Sequence, residues 1–234
     1  MIKIAIIHPS YQRAEQCVNC FFKWQATADN PAQIEYFIAL DGVDPTIHKY
    51  FEVFSHTPSF LSVGRFVIDI GDSTDCVKAG YRVSKNISST TELLYQNSDD
   101  VFPCEHWDTL LLETLKGVDN FTVPKALAVN DGFWNTPTSF VYAIANRALY
   151  NKLGYLICPE YSSMYSDNDF TEVCNKLNCI IHAPHIQFLH KHYSKGGTPF
   201  DETYARRNNI IELEKGLKIL NERRKRNFDL GDIK

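Results

Sequence analysis

Residues 93–103, LLYQNSDDVFP, decide the predicted fold, because a short apolar run leads directly into two adjacent carboxylates, Asp99 and Asp100. The apolar run predicts a buried strand, and carboxylates at the end of such a strand are costly unless a cation lies beside them. Hard cations such as Mg²⁺ and Mn²⁺ prefer oxygen ligands, and Mg²⁺ is commonly held by one or two carboxylates together with substrate phosphates. A plain turn or a helix cap is the structural alternative for this pair.

Apolar runs and helical stretches alternate on both sides of this segment. The apolar runs predict strands at residues 2–7, 34–40, 66–70 and 92–95. The stretches between and after them predict helices at residues 14–28, 76–85 and 105–116. A repeated order of strand, polar turn and helix is typical of a parallel sheet with right-handed crossovers. The sequence therefore predicts an α/β fold with a mostly parallel central sheet flanked by helices.

Residues suited to ligand binding follow three of these strands. They are Pro9, Ser10, Tyr11 and Arg13 after the first strand, Asp41 after the second, and Asp99 and Asp100 after the fourth. Ligands of open parallel sheets bind beyond the carboxyl ends of the strands. We therefore expect these residues to face one crevice.

The second half of the chain is less regular. Its apolar runs predict short strands at residues 122–129, 139–144, 179–182 and 186–190. Its helical patterns predict helices at residues 146–152, 171–177 and 202–226. The last of these is a long C-terminal helix whose end, residues 223–226, is entirely basic.

The composition is that of an ordinary globular protein, with 234 residues, 44% hydrophobic and 22% charged. No apolar run approaches the ~20 residues that a membrane span needs, and the N-terminal run is too short for a signal peptide. Seven scattered cysteines favour a reduced, cytoplasmic protein with buried thiols, so Cys17 and Cys20 are expected on a helix rather than in a zinc site. The formal charge of −4 argues against a nucleic-acid footprint over the whole surface, although the basic run could contact phosphates.

Five segments resemble, in order and spacing, the motifs of family-2-type glycosyltransferases with the GT-A fold. They are IIHPSYQR at residues 6–13, LDGVD at 40–44, LYQNSDDVFP at 94–103, YSDNDF at 165–170 and FLHKH at 188–192. The first resembles the family's opening strand and turn, the second its Asp-Gly turn, and the third its metal-binding acidic motif. The fourth resembles its later acidic motif and the fifth its histidine segment. The chain departs from the family pattern at Asn97 or Ser98, where the metal motif has Asp, and at Ser166, where the later motif has Glu.

The resemblance implies a Rossmann-like GT-A fold with a C-terminal helix, and a metal-dependent transfer of sugar from a nucleotide-sugar to an acceptor hydroxyl. One domain over residues 1–234 is expected, with a nucleotide-binding half at 1–103, an acceptor half at 104–200 and a C-terminal helix and tail at 201–234. The implied donor contacts are Pro9, Ser10, Tyr11, Arg13, Asp41 and Asp99. A UDP-sugar is favoured, because Asp41 could accept a hydrogen bond from uracil. The implied ligands of Mn²⁺ or Mg²⁺ are Asp100, Asp99 and His190, with His192 as the alternative histidine.

The acceptor hydroxyl has a pKa far above neutrality, so a general base must take its proton as the new bond forms. We expect Asp167 in this role, and a single carboxylate opposite the leaving group implies direct displacement with inversion. A helix cap is the structural alternative for Asp167. The predicted acceptor contacts are Trp134, Asp131 and Asp169.

Several alternatives stay open on the sequence alone. The acceptor could be a saccharide, a lipid-linked saccharide, a protein or a hydroxymethylated DNA base. A nucleotidyltransferase is less consistent with the chain, because no Gly-rich loop with a following Lys or Arg comes after the first strand. A non-catalytic binder of nucleotide-sugars is a third interpretation, which Ser98 and Ser166 keep open.

Overall fold

The computed structural model describes residues 1–56, 62–73, 75–119, 121–133 and 140–231. Within these ranges, the strands β1 to β8 are Ile4–Ser10, Ile34–Asp41, Arg65–Gly71, Leu93–Gln96, Val101–Pro103, Ala126–Asn130, Ile144–Asn146 and Ile180–His190. The helices α1 to α8 are Ala14–Ala26, Ile47–His56, Cys76–Ser84, Trp107–Asp119, Arg147–Leu153, Ser166–Lys176, Glu202–Arg207 and Ile210–Lys225. None of the helices in the described ranges combines the length and the apolar character that crossing a membrane requires.

The strands form one sheet in the order β3-β2-β1-β4-β7-β6-β8-β5. β1 pairs in parallel with β2 and β4, β2 pairs in parallel with β3, and β6 pairs in parallel with β8. β7 is antiparallel to β4 and β6, and β5 is antiparallel to β8. The predicted α/β fold with a mostly parallel sheet flanked by helices is therefore confirmed.

The centre of the sheet is covered on both faces, which explains its continuous apolar runs. Every residue of β1 and β2 is buried. Successive side chains of a strand point to opposite faces, so β1 feeds two separate clusters. Ile6 belongs to the buried cluster that contains Trp24 of α1, and Ile7 belongs to the cluster that contains Val83 of α3. The central strands are thus fixed in position by helices on both sides.

β8 is one strand of eleven residues where the sequence predicted two short ones. Its register with β6 runs as far as the pair Val129 and Ala183, and it resumes at Asn130 and Gln187. Pro184 comes at the start of this irregularity, and proline has no N–H to donate to a ladder. The proline therefore interrupts the pairing without ending the strand, and the second part of β8 goes on to pair with β5.

The predicted C-terminal helix over residues 202–226 is in fact two helices, α7 and α8. α8 begins after Asn209, whose side chain accepts a hydrogen bond from the N–H of Glu212 at 3.1 Å. Asparagine is among the residues most favoured at a helix N-cap. The cap at Asn209 separates the axis of α7 from that of α8, so the position of α7 does not depend on the direction of α8.

The other differences are one shifted helix start and two elements that were not predicted. α6 begins at Ser166 rather than at Thr171, so Asp167 and Asp169 lie in its first turn. α2 and the three-residue β5 were not predicted from the sequence. β5 is too short to show a periodic pattern, and its pairing with β8 depends on residues about 90 positions away.

Candidate active site

A cavity of about 240 Å³ opens at the carboxyl ends of β1, β2 and β4. It is lined by all the predicted donor and metal residues, which are Pro9, Ser10, Tyr11, Arg13, Asp41, Asp99, Asp100 and His190. β1 lies between β2 and β4 in a parallel arrangement, so the polar ends of the three strands emerge side by side. His190 arrives by a different route, because Val101 pairs with His190 in the β5–β8 ladder.

The Asp100 carboxylate is buried and has three side-chain partners. Its Oδ2 accepts a hydrogen bond from the hydroxyl of Tyr204 at 2.5 Å and lies 3.3 Å from Nε2 of His190. Its Oδ1 accepts a hydrogen bond from Ser98. Burial by itself would raise the pKa of this carboxyl, but the interaction with His190 and the bond from Ser98 outweigh it and hold the pKa well below its usual range. An ionised carboxylate beside an imidazole nitrogen offers two donor types that first-row divalent cations bind.

Asp99 faces a different partner, His8 of β1. Oδ1 of Asp99 lies 2.9 Å from Nε2 of His8, and Nδ1 of His8 lies 2.7 Å from the hydroxyl of Tyr36. The donor atoms of His8, Cys17 and Asp99 all lie within 4.8 Å of one another, and all three residues are buried. Burial raises the pKa of the Cys17 thiol, so this side chain is a neutral neighbour. Sequence reasoning missed His8, whose only signal is a single titratable residue inside an apolar strand.

The turn after β1 is held in shape by α2 and the loop before it. Gln12 has a φ of 55°, and its N–H donates to the carboxylate of Asp44 at 2.8 Å. The hydroxyl of Tyr50 lies 2.8 Å from Oγ of Ser10 and accepts a hydrogen bond from the N–H of Arg13 at 3.2 Å. Side chains of the unpredicted segment 44–50 therefore fix the first wall of the cavity.

Asp41 ends β2 and is buried in the cavity wall. Its Oδ1 accepts a hydrogen bond from Oγ of Ser73 at 2.5 Å, and Arg82 donates to that same hydroxyl at 2.5 Å. Arg82 also donates to the carbonyl of Leu40 at 3.0 Å. Desolvation raises the pKa of the Asp41 carboxyl, against the opposing effect of the Ser73 hydrogen bond. The orientation of Asp41 is thus set by Ser73 and Arg82, neither of which was singled out from the sequence.

Helix α7 lies across the cavity and holds two of the predicted site residues. Asp201, which caps α7, accepts hydrogen bonds from Nε and Nη2 of Arg13 at 2.8 and 2.7 Å. Three residues later, Tyr204 donates to Asp100. The guanidinium of Arg13 also lies 4.1 Å from the centre of the Tyr204 ring. Asp201 therefore engages the guanidinium of Arg13 in the first-strand turn, while Tyr204 engages the carboxylate of Asp100 in the acidic motif.

Tyr11 is contacted by the same helix. Thr203 Oγ1 donates to the carbonyl of Tyr11 at 3.1 Å, and the guanidinium of Arg206 lies 4.1 Å from the centre of the Tyr11 ring. Sequence reasoning missed the role of α7 because it treated the segment as the start of a long helix. The signal that could have found the break is Asn209 followed by Glu212, which resembles a capping box.

Asp167 lies in the first turn of α6 and does not line the cavity. Its side chain is exposed, yet it is surrounded at longer range by enough protein for desolvation to raise the pKa of its carboxyl. The N–H of Phe140 donates to Oγ1 of Thr171 at 2.8 Å, and that hydroxyl donates to the carbonyl of Asp167 at 2.8 Å. The segment that resumes at Phe140 is thereby attached to the turn that carries Asp167.

The predicted acceptor residue Asp169 lies in a buried network away from the cavity. Its Oδ2 accepts hydrogen bonds from Nε of Arg223 at 2.6 Å and from the hydroxyl of Tyr161 at 3.0 Å. Arg223 is only 2% exposed and also pairs with Glu160 and Asp229. Asp169 therefore ties α6 to α8.

The other two predicted acceptor residues follow β6. Asp131 is buried, its carbonyl accepts a hydrogen bond from the N–H of His190 at 2.9 Å, and its Oδ1 accepts one from the N–H of Phe133 at 2.9 Å. Phe133 is 43% exposed, and the ammonium of Lys195 lies 5.1 Å from the centre of its ring. Trp134 lies outside the described residues. The turn at 131–133 is therefore next to the histidine of the cavity.

No protein-family model and no curated protein sequence matches the chain. Among solved structures, it is similar to Staphylococcus aureus TarS 1–349 in complex with UDP-GlcNAc, with a TM-score of 0.61 and 14% identity over 80% of this chain and 57% of that one. It is also similar to the mannosyltransferase PcManGT from Pyrobaculum calidifontis in complex with GDP-Man and Mn²⁺, with a TM-score of 0.58 and 13% identity over 99% of this chain and 76% of that one. The catalytic domain of Drosophila β1,4-galactosyltransferase 7 gives a TM-score of 0.51 and 10% identity over 89% of this chain and 80% of that one.

The chain spans 36% of the longer TarS chain, which it matches with a TM-score of 0.58. The similarity to these proteins lies in the path of the backbone, since the identities are 10–14%. The sheet order, the cavity at the carboxyl ends of the strands and these structural similarities all indicate the same fold. The chain has the GT-A glycosyltransferase fold.

Proposed function

We propose that the protein is a metal-dependent glycosyltransferase that moves a sugar from a nucleotide-sugar to an acceptor hydroxyl with inversion. The observation that carries this proposal is the pairing of Asp100 with His190, Oδ2 to Nε2 at 3.3 Å, beside the first-strand turn in one cavity. A general nucleotide binder has no need of an ionised carboxylate and an imidazole at this edge. A diphosphate leaving group does need a bound cation to offset its charge.

We assign the parts of the donor to the cavity from the chemistry of the residues that line it. Asp41 supports binding of a base that carries an N–H, and uracil is the base we favour, as a UDP-sugar. Tyr11 offers an aromatic face for this base, and Arg13 offers a guanidinium for a phosphate. Asp99 lines the same cavity and suits either a contact to the ribose hydroxyls or a share in the metal.

Asp100 and His190 would hold the cation, with Asp99 as a further candidate ligand. Mn²⁺ or Mg²⁺ bound there supplies positive charge against the diphosphate as the bond to the sugar breaks. The contribution of the chain is to keep Asp100 ionised, through its hydrogen bonds, before any cation arrives. No third carboxylate is needed at Ser98, which donates to Asp100 instead.

Asp167 is the proposed general base. It is exposed, it lies in a helical turn attached to the segment that resumes at Phe140, and desolvation raises the pKa of its carboxyl toward the working range of a base. A saccharide is the acceptor class that we favour. The basic run at the C-terminus gives little support to a DNA acceptor, because Arg223, Arg224 and Arg226 pair with carboxylates of the same molecule.

The test is a screen of the purified protein against UDP- and GDP-sugars, with release of the nucleoside diphosphate as the readout. Saccharides and hydroxymethylated DNA are then added to find the acceptor. We expect release with a UDP-sugar in Mn²⁺ or Mg²⁺, no release in EDTA and none with Asp100→Ala. Failure of every nucleotide-sugar to turn over, or release that is equal in EDTA, would contradict the proposal.

A further inference from the structure

His8 is a buried histidine that none of the proposed steps uses. It is 0% exposed, in a strand whose other residues are mostly apolar, and its neighbours in the same face are Ile4 and Ile6. A buried imidazole is costly unless both of its nitrogens have partners. Here both do, since Nδ1 faces the hydroxyl of Tyr36 and Nε2 faces the carboxylate of Asp99.

The hydrogen bonds behind His8 have a fixed direction. Tyr95 donates its hydroxyl proton to Oδ1 of Asn97 at 2.8 Å, so the amide nitrogen of Asn97 is turned toward the hydroxyl of Tyr36 and donates to it at 3.2 Å. Burial raises the pKa of Tyr36 well above its ordinary value, so its hydroxyl keeps its proton. The Tyr36 oxygen accepts the hydrogen bond from the Asn97 amide. The Tyr36 hydroxyl proton is then free to donate to Nδ1 of His8 at 2.7 Å.

This direction decides the tautomer of His8. A neutral imidazole that accepts at Nδ1 carries its proton on Nε2. Nε2 therefore donates to Oδ1 of Asp99 at 2.9 Å. The series of hydrogen bonds therefore runs from Tyr95 to the Asp99 carboxylate, which lines the cavity. The residues between them, Asn97, Tyr36 and His8, are all buried.

We propose that His8 is a positioning residue, which, with Tyr36 and Asn97 behind it, fixes the orientation of the Asp99 carboxylate toward the donor. The two adjacent carboxylates of the acidic motif are then held by two different imidazoles, Asp99 by His8 and Asp100 by His190. The two carboxylates are thereby fixed in different directions before any ligand is bound, so less side-chain conformational entropy is lost on binding. The inference rests on the proposed function, because it gives Asp99 a donor-facing role.

The experiment measures UDP binding by calorimetry in Mn²⁺ for the wild type, His8→Leu, His8→Gln and Tyr36→Phe, with thermal unfolding of each. Removal of a residue that orients a metal ligand typically costs 10–100-fold in metal affinity or activity, and we take the lower end as the guide for UDP binding here. We expect a loss of about tenfold or more in His8→Leu, most of it restored in His8→Gln, whose amide N–H can still donate to Asp99. Ile7→Ala is the matched control, since it truncates the preceding residue of β1, which packs in the opposite cluster, and it should lower stability without changing UDP affinity.

A second readout does not depend on ligand binding. Nitrogen NMR of the histidine rings in the metal-free wild type, with the His8 signals assigned by their loss in His8→Gln, reports which nitrogen carries the proton. We expect protonation on Nε2 in the wild type and also in Tyr36→Phe, because the Asp99 carboxylate opposite Nε2 can only accept a hydrogen bond. If His8→Leu does not fold, this measurement and the affinities of His8→Gln and Tyr36→Phe decide.

The outcomes separate the two proposals. Wild-type binding of UDP that His8→Leu leaves unchanged, or a His8 protonated on Nδ1, overturns the positioning role alone. A wild type that binds neither UDP nor GDP in Mn²⁺ overturns the proposed function, and the role of His8 with it. Loss of affinity in His8→Leu with recovery in His8→Gln supports both.

Discussion

At the scale of single residues, the candidate site depends on carboxylates that are held by hydrogen bonds before any ligand arrives. Asp100 has three such partners, Asp99 has His8 and Asp41 has Ser73. Each of these acids was predicted from its place after a strand. The residues that orient them were not, because their roles depend on contacts between segments far apart in the chain.

The first prediction concerns Asp100. We expect Asp100→Ala to abolish the increase in UDP affinity that Mn²⁺ gives to the wild type, because the ionised carboxylate that would hold the cation is gone. Calorimetric titration of UDP with and without Mn²⁺ measures this. Titration of the wild type in EDTA is the control and should match the variant. An Asp100→Ala protein whose UDP affinity still rises with Mn²⁺ would place the cation elsewhere.

The second prediction concerns Asp167. We expect Asp167→Asn to lower turnover by ~10²–10⁴-fold, the usual worth of general-base assistance, while UDP affinity stays nearly unchanged. The N-cap of α6 is Tyr165 rather than Asp167, and asparagine keeps the shape of the side chain, so the substitution tests the charge of Asp167 alone. Glu172→Gln, a carboxylate further along α6, is the matched control and should keep wild-type turnover. Wild-type activity in Asp167→Asn would remove this residue from the mechanism.

The same residue predicts the pH dependence of the rate. A base works only when it is ionised, and desolvation raises the pKa of the Asp167 carboxyl above its ordinary value. The rate of the wild type should therefore fall as the pH drops through this raised pKa, at a higher pH than an ordinary aspartate would give. The remaining activity of Asp167→Asn should lack this acid limb. A limb that persists in the variant would belong to another group.

At the scale of elements, α7 contacts several of the groups that the proposed donor would need. Its residues hold Arg13 and Asp100, and its arginine lies over Tyr11. A diphosphate would compete with Asp201 for the guanidinium of Arg13. Binding of the donor therefore requires these contacts to be exchanged, and the strength of the contacts lowers the donor's apparent affinity.

We accordingly expect Asp201→Asn to bind UDP more tightly than the wild type, by up to about tenfold, because a charge-assisted pair of hydrogen bonds is weakened in the unliganded protein only. Calorimetry with UDP measures this. Glu202→Gln, the exposed neighbour on α7, makes the same change of charge and should leave the affinity unchanged. Weaker binding in Asp201→Asn would mean that Asp201 helps to hold the donor rather than competing with it.

At the scale of the whole molecule, one buried arginine ties the C-terminal helix α8 to α6. Arg223 of α8 reaches Asp169 of α6, 54 positions away, and no water reaches the pair freely because both side chains are 2% exposed. A buried ion pair is a weak source of stability as a whole, but removal of one partner leaves an uncompensated charge in the interior.

We expect Arg223→Ala to lower the free energy of unfolding by about 3–5 kcal/mol, because Asp169 is left buried without its partner. Arg224→Ala is the control, since Arg224 pairs with Glu172 at the surface, where such pairs contribute about 0–1 kcal/mol. Urea denaturation of both variants measures the difference. Equal stabilities of the two variants would show that the buried network does not hold α8 in place.

The sequence by itself determined four strands and three helices in the first half of the chain, β1 to β4 with α1, α3 and α4, and the acids at the strand ends. These follow from local patterns, since hydrophobic periodicity and turn residues act over a few positions. β1, β2, β3 and β4 each lie within a few residues of their predicted bounds, and the first-strand turn, Asp41 and the Asp99-Asp100 pair line one cavity as expected.

Only the tertiary structure decided which distant residues meet these acids. His190 reaches Asp100 because β5 pairs with β8, His8 meets Asp99 because β1 lies beside β4, and Tyr204 reaches Asp100 because a cap at Asn209 separates α7 from α8. No local sequence pattern predicts these contacts between distant residues. They result from the burial of whole faces of the sheet, which fixes the register of neighbouring strands and therefore the side chains at their ends.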